Sequence, residues 1–168
     1  YVASTYARFP ICITSGKGSI AYDENGKEYI DLGTGIAVNT FGYSDDEWVA
    51  AVSAQLTKLQ HTSNLYYSEP CAKLAEILCT GTDMKKVFFS NSGAEANENA
   101  LKLASFHNGK NKVLSFKQSF HGRTSAAVKV TDIPKYVAPV NEGLDVTFVA
   151  LNDIETVRPE LQQGTYSS

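Results

Sequence analysis

Apolar and polar positions alternate with a period of two from Gly18 to Tyr22 and again from Lys27 to Leu32. Between them lies Asp23-Glu24-Asn25-Gly26. An Asn-Gly turn between alternating runs predicts a β-hairpin. Residues 1–16 read as extended, with Ile11 and Ile13 after Pro10. Gly33 and Gly35 break the second strand and open a loop, Ile36-Ala37-Val38-Asn39. The period then changes to that of a helix. Val49, Val52, Leu56 and Leu59 fall on one face, and Asp45 or Asp46 can cap its start. His61 to Tyr67 is a polar, aromatic connector. A second helix begins at Ser68-Glu69-Pro70, carries Leu74, Ala75 and Leu78 on one face, and ends at Gly81.

Beyond Gly81 the pattern reads strand, helix, strand. Val87–Ser90 is an apolar run with strand character. A helix follows from Ala94 to Phe106, with Ala96, Ala100 and Leu103 on a face suited to close packing on a sheet. Asn108-Gly109 ends it. Lys112–Phe116 and Val146–Leu151 are further strands, the second entered through a loop that holds Pro134 and Pro139. This is α/β organisation with parallel strands, preceded by an antiparallel element over the first 45 residues.

Composition narrows the partners. Net charge is −3, from 15 basic and 18 acidic residues, and no Lys/Arg run appears, which argues against nucleic acid. No apolar stretch approaches the roughly 20 residues of a membrane helix. Cys12, Cys71 and Cys79 show no CxxC spacing, so they are expected to be buried thiols in a reducing compartment. His61, His107 and His121 lack metal-ligand spacing, and no metal site is expected. Gly16-x-Gly18 and Gly33-x-Gly35 lack the third glycine of a dinucleotide fingerprint and read as turn glycines. The chain begins at Tyr1 and ends soon after a strand and a short helical segment, so a fragment is expected.

The chemistry concentrates in two short stretches. Asn91-Ser92-Gly93-Ala94-Glu95 joins a strand to a helix and offers backbone N–H groups at a helix start, a seat for phosphate. Ser92 with Glu95 is also a capping box, so a well-capped helix alone accounts for the same residues. Gly93 favours the seat, because glycine weakens a first turn unless something must approach it. Ser119-Phe120-His121-Gly122-Arg123-Thr124 then places an aromatic face and a guanidinium in one loop. Arg can hold a carboxylate through two parallel hydrogen bonds.

In this order, the two stretches resemble class III pyridoxal-phosphate aminotransferases of fold type I. The resemblance runs along the whole chain, through Tyr6-Ala7-Arg8-Phe9-Pro10, Gly18 to Leu32, Gly35 to Asn39 and His61 to Tyr66 as well. It implies an N-terminal small-domain segment with the hairpin (1–45), a linking helix and substrate-side connector (46–68), and the first part of a large, mostly parallel PLP-binding α/β domain (69–168). It further implies that Ser92, Gly93 and Ala94 bind the phosphate of pyridoxal 5'-phosphate, with Phe120 stacked on its ring and His121 beside it. Arg123 would hold the substrate α-carboxylate, and Val38, Asn39 and Tyr67 would line the pocket. Implied too are a cytoplasmic homodimer with its site at the interface, small-molecule amino-acid and 2-oxo-acid substrates, and a place in arginine biosynthesis. The implied amine donor is N-acetylornithine; ornithine, 4-aminobutyrate, succinyl-diaminopimelate and succinylornithine are alternatives.

Two departures stand out. Gly42-Tyr43-Ser44-Asp45-Asp46 stands where the family often has Gly-His-x-His-Pro. No lysine here sits in the family's catalytic context, so the Schiff-base lysine is expected outside these residues and the segment alone is expected to be inactive. A non-catalytic module that binds an anion or a partner chain is the reading from a different class.

Overall fold

Asp23 closes the hairpin with its own side chain. Its Oδ1 accepts from the N–H groups of Asn25 and Lys27 at 2.8 and 2.9 Å, and Gly26 takes φ 77°. The turn joins β2 (Ile20–Asp23) to β3 (Glu28–Ile30), antiparallel, with Ile20 opposite Ile30. The extended N-terminal stretch supplies β1 (Ile13–Lys17), antiparallel on the other side of β2. The computed structural model describes residues 1–168, which fall into two units, Tyr1–Leu74 and Ala75–Ser168.

In the first unit, Gly18 and Tyr43 exchange backbone hydrogen bonds of 2.9 and 2.7 Å. A Cβ on Gly16 would lie 2.7 Å from the Tyr43 ring, so that glycine permits a close approach. The Tyr43 hydroxyl bonds the Asp31 carboxylate, which also accepts from the N–H groups of Gly33 and Thr34. These contacts, that of Tyr43 first, hold the Asp31 carboxyl below its ordinary range. Tyr43, at a position where the family often has His, is thus a packed and bonded residue. The loop expected after Gly33 is instead a single turn, α1 (Thr34–Ala37). All four of its residues have positive φ, from 48° at Thr34 to 62° at Ala37. Left-handed backbone is costly for any residue with a Cβ. Asp31 and Thr34 pin the turn through side-chain hydrogen bonds to Thr34 N–H and Ala37 N–H.

Asp45, rather than Asp46, caps α2 (Asp46–Leu56), accepting from Trp48 N–H at 2.8 Å. Asp46 pairs with Lys17 at 2.6 Å in the open, where an ion pair contributes little. α3 (Glu69–Thr80) ends as expected, with Gly81 N–H donating to the Ile77 carbonyl at 3.0 Å.

The second unit is built on α4 (Gly93–Asn108) and two parallel strands, β4 (Val113–Phe116) and β5 (Val146–Val149), paired from Val113–Val146 to Phe116–Val149. Tyr166 to Ser168 return beside β4, where Ser167 N–H donates to the Lys112 carbonyl at 2.7 Å. The deepest element is the short α5 (Ser125–Lys129): Ala127 and Val128 are 0% and 1% exposed. Val113, Val130, Val149 and Tyr166 complete this core. α6 (Ile154–Gln162) closes the chain's element order.

Several expectations fail for one physical reason, the need for a covering partner. Val87–Ser90 joins no ladder, because no strand of the chain pairs with it. Ala96, Ala100 and Leu103 on α4 are exposed, because α4 turns Ala94, Asn97, Glu98 and Leu101 inward instead. The apolar stripe of α2 is real but uncovered, with Val49, Val52, Leu56 and Leu59 all exposed. The cysteines are not buried: Cys12 and Cys71 are exposed and Cys79 is half-buried.

Candidate functional site

Ser92 takes extended backbone and its Oγ accepts from Glu95 N–H at 3.2 Å, which starts α4. The reciprocal arm of the expected capping box lands one residue early. Glu95 Oε2 accepts from Asn91 N–H at 2.8 Å and from Asn91 Nδ2 at 3.0 Å. The N–H groups of Gly93 and Ala94 find no acceptor in the chain. They sit at the positive end of a 16-residue helix. A Cβ on Gly93 would meet nothing within 4 Å, so the space before this turn is open. Ser92 uses a lone pair to cap the helix and keeps its own proton for donation. A phosphate group fits this set: two uncommitted N–H groups, a hydroxyl, and a favourable helix end.

The second stretch lies directly on this turn. Gly122 packs on Ala94 so closely that a Cβ at Gly122 would come 2.5 Å from the Ala94 Cβ, and its φ is 136°. His121 is held on three sides. Its carbonyl accepts from Asn97 Nδ2 at 2.7 Å, its N–H donates to Thr131 Oγ1 at 2.9 Å, and its Nδ1 meets the Val130 carbonyl at 3.0 Å. A carbonyl only accepts, so Nδ1 is the donor in this contact and Nε2 is left to face outward from it. Thr131, 2% exposed, also donates to the Ala127 carbonyl at 2.8 Å. Phe120 is 59% exposed, so a ring face is available for stacking. Arg123 is exposed, and the next residue, Thr124, donates its hydroxyl to Glu98 Oε1 at 2.7 Å.

Glu98 Oε1 also accepts from the N–H groups of Ala126 and Ala127 at 2.7 and 3.0 Å. Desolvation is the largest single influence on this carboxyl and raises its pKa. The donations from Ala127, Thr124 and Ala126 together outweigh it and hold the group below its ordinary value. Sequence reasoning missed Asn97, Glu98 and Thr131. The available signal was the polar run Asn97-Glu98-Asn99 on a helix whose inner face was expected to be apolar.

Ser92, Gly93, Ala94, Phe120, His121 and Arg123 therefore belong to one packed arrangement in the second unit. Val38, Asn39 and Tyr67 lie in the first unit. Val38 and Tyr67 are exposed, and Asn39 lines an open hollow of about 220 Å³ with Asp31, Thr34 and Phe41. A hollow of about 470 Å³ lies along Glu98, Lys102, Ser105 and Leu144 and includes none of the expected site residues.

The family model described as aminotransferase class-III matches residues 1–165. The acetylornithine aminotransferase of Methanosarcina acetivorans is 44% identical over 167 residues, covering 98% of this chain and 42% of that protein. The crystal structure of N-acetylornithine aminotransferase from Stenotrophomonas maltophilia K279a superposes with a TM-score of 0.76 at 32% identity, over 97% of this chain and 41% of that one. The ornithine aminotransferase from Toxoplasma gondii ME49 superposes with a TM-score of 0.91 at 23% identity, over 100% and 42%, a likeness of fold alone. The chain spans less than half the length of the curated relatives it matches.

Proposed function

Because the chain belongs to the class-III aminotransferases, we propose that its parent protein transfers the terminal amino group of N-acetylornithine to 2-oxoglutarate through pyridoxal 5'-phosphate. The observation that carries the reading is the packing of Gly122 on Ala94. It sets an exposed aromatic ring and a guanidinium beside a helix start with uncommitted N–H groups. The choice of donor is supported by relatives named acetylornithine aminotransferase at 39–44% identity over 98% of the chain.

In this reading the N–H groups of Gly93 and Ala94 and the Ser92 hydroxyl hold the cofactor phosphate. Phe120 lies against the ring, and His121, held through Nδ1 by the Val130 carbonyl, flanks it. Arg123 takes the carboxylate of the amino or oxo acid. Val38, Asn39 and Tyr67 line the substrate side. When bound, the cofactor supplies the carbonyl that receives the amino group and the ring that draws off electrons. The lysine that would hold it covalently is not among these residues, so the segment alone is proposed to be inactive. A cytoplasmic homodimer and a role in arginine biosynthesis complete the proposal.

The test is incubation of the full-length protein with 2-oxoglutarate and each candidate donor, followed by assay of glutamate. N-acetylornithine is expected to give the highest kcat/KM. Faster turnover of ornithine, 4-aminobutyrate or a succinylated donor would reassign the substrate, and no glutamate from any would remove the reading.

A further inference from the structure

Resting on the aminotransferase reading above, we infer that Asn97 and Glu98 are positioning residues that lock both ends of the Phe120–Thr124 loop onto the helix whose first turn seats the phosphate. Ala94, Asn97 and Glu98 are three and four residues apart, so they share one face of α4. Each touches a different point of the same loop. Ala94 meets Gly122 at its centre. Asn97 grips its early part, donating to the His121 carbonyl at 2.7 Å. Glu98 grips its end, accepting from the Thr124 hydroxyl at 2.7 Å.

Glu98 goes further, because Ala126 and Ala127 are first-turn residues of α5, whose N–H groups have no partner within that helix. Thr124 occupies the cap position of α5 but makes no side-chain cap. Its hydroxyl donates to Glu98 instead, and Glu98 accepts both N–H groups in its place. The cap of α5 is therefore supplied by α4. The start of α5, and Arg123 just before it, are fixed relative to Ser92, Gly93 and Ala94 by one carboxylate oxygen. Phe120 and Arg123 can face the same cofactor and substrate only while that spacing holds. A misplacement of about 1 Å can cost on the order of a hundredfold in rate.

The test uses the full-length protein as Glu98→Ala, Glu98→Gln and Asn97→Asp variants. The readouts are the visible circular dichroism of the bound cofactor, kcat and KM for 2-oxoglutarate, and amide exchange at Ala126 and Ala127 in cofactor-free protein. Glu98→Ala is expected to lose most of the visible dichroism and to drop kcat by roughly tenfold to a hundredfold, with far-ultraviolet dichroism unchanged. Glu98→Gln keeps an acceptor oxygen and should recover most of both. Asn97→Asp replaces a donor with a carboxylate facing the His121 carbonyl and should reproduce the loss. Wild-type dichroism and kcat in Glu98→Ala, or no recovery in Glu98→Gln, would overturn the inference. If Glu98→Ala does not fold, Asn97→Asp decides by the same readouts. A wild-type protein that neither binds the cofactor nor forms glutamate would instead remove the aminotransferase reading. Exchange at Ala126 and Ala127 would still report on the Glu98 contact in that case.

Discussion

Gly122 rests on Ala94 with no room for a side chain between them: a Cβ there would lie 2.5 Å from the Ala94 Cβ, 2.9 Å from its Cα and 3.1 Å from the Ala127 Cβ. Two of the three obstacles are atoms of the helix that starts at Gly93. The φ of 136° adds strain for any residue with a Cβ. Gly122→Ala should therefore destabilise the protein by about 3 kcal/mol, from overpacking and backbone strain together. The relaxation available is movement of the loop away from α4. Cofactor affinity should fall with stability, and a melting curve and a cofactor titration on the same sample check both. A variant as stable as wild type would mean that the loop does not need this approach.

Ser92 offers a way to separate a helix cap from a phosphate seat. Ser92→Ala removes the acceptor for Glu95 N–H and should cost about 1 kcal/mol of stability. Ser92→Asp keeps a good cap and should leave the melting temperature near that of wild type. It also places a negative charge where the phosphate is proposed to sit. Cofactor affinity should fall about tenfold or more in Ser92→Ala, through loss of a hydrogen bond to a charged group, and further in Ser92→Asp. If Ser92→Asp binds the cofactor as wild type does, the residue is a cap only.

What could be read from the chain was what neighbouring residues decide among themselves. Asp23 closes its own turn, Asp45 and Ser92 cap the helices they precede, and Gly81 and Gly109 end the helices they follow. What could not be read depends on partners far along the chain. Val87–Ser90 has strand composition, but a strand exists only where another pairs with it. Ala96, Ala100 and Leu103 have a helical period, but period does not say what covers the face. The role of Glu98 was not legible, because its donors, Thr124, Ala126 and Ala127, lie 26 to 29 residues away.

Glu98 also predicts a pH dependence. Its carboxyl titrates below the ordinary 4.5 in the folded chain, despite desolvation, because three donors favour the charged form. A depressed folded pKa adds stability that is present above the unfolded value and is lost as pH falls through the folded one. Glu98→Gln cannot titrate there. The stability gap between wild type and Glu98→Gln should thus be constant near neutrality and narrow as the pH drops below the ordinary carboxylate value. Chemical denaturation of both proteins from pH 7 to about pH 3 measures it. A gap that does not change across that window would show that the Glu98 carboxylate is not held by these donors.

Arg123 supplies the last prediction, because its backbone is fixed on both sides while its side chain is exposed. Gly122 is wedged on Ala94, and Thr124 is tied to Glu98 at 2.7 Å. A backbone held on both sides sets the point from which the guanidinium extends. If that group receives the substrate carboxylate, its planar fork matters and not only its charge. Arg123→Lys keeps the charge and loses the second parallel hydrogen bond. One hydrogen bond to a charged group corresponds to about 1.5–3 kcal/mol, so KM for 2-oxoglutarate should rise by roughly tenfold to a hundredfold. Cofactor affinity should stay unchanged, because the phosphate is proposed to sit on Ser92, Gly93 and Ala94 instead. Steady-state kinetics beside a cofactor titration separates the two quantities. An unchanged KM would take Arg123 out of the substrate site, whereas a loss of cofactor binding would place it on the phosphate instead.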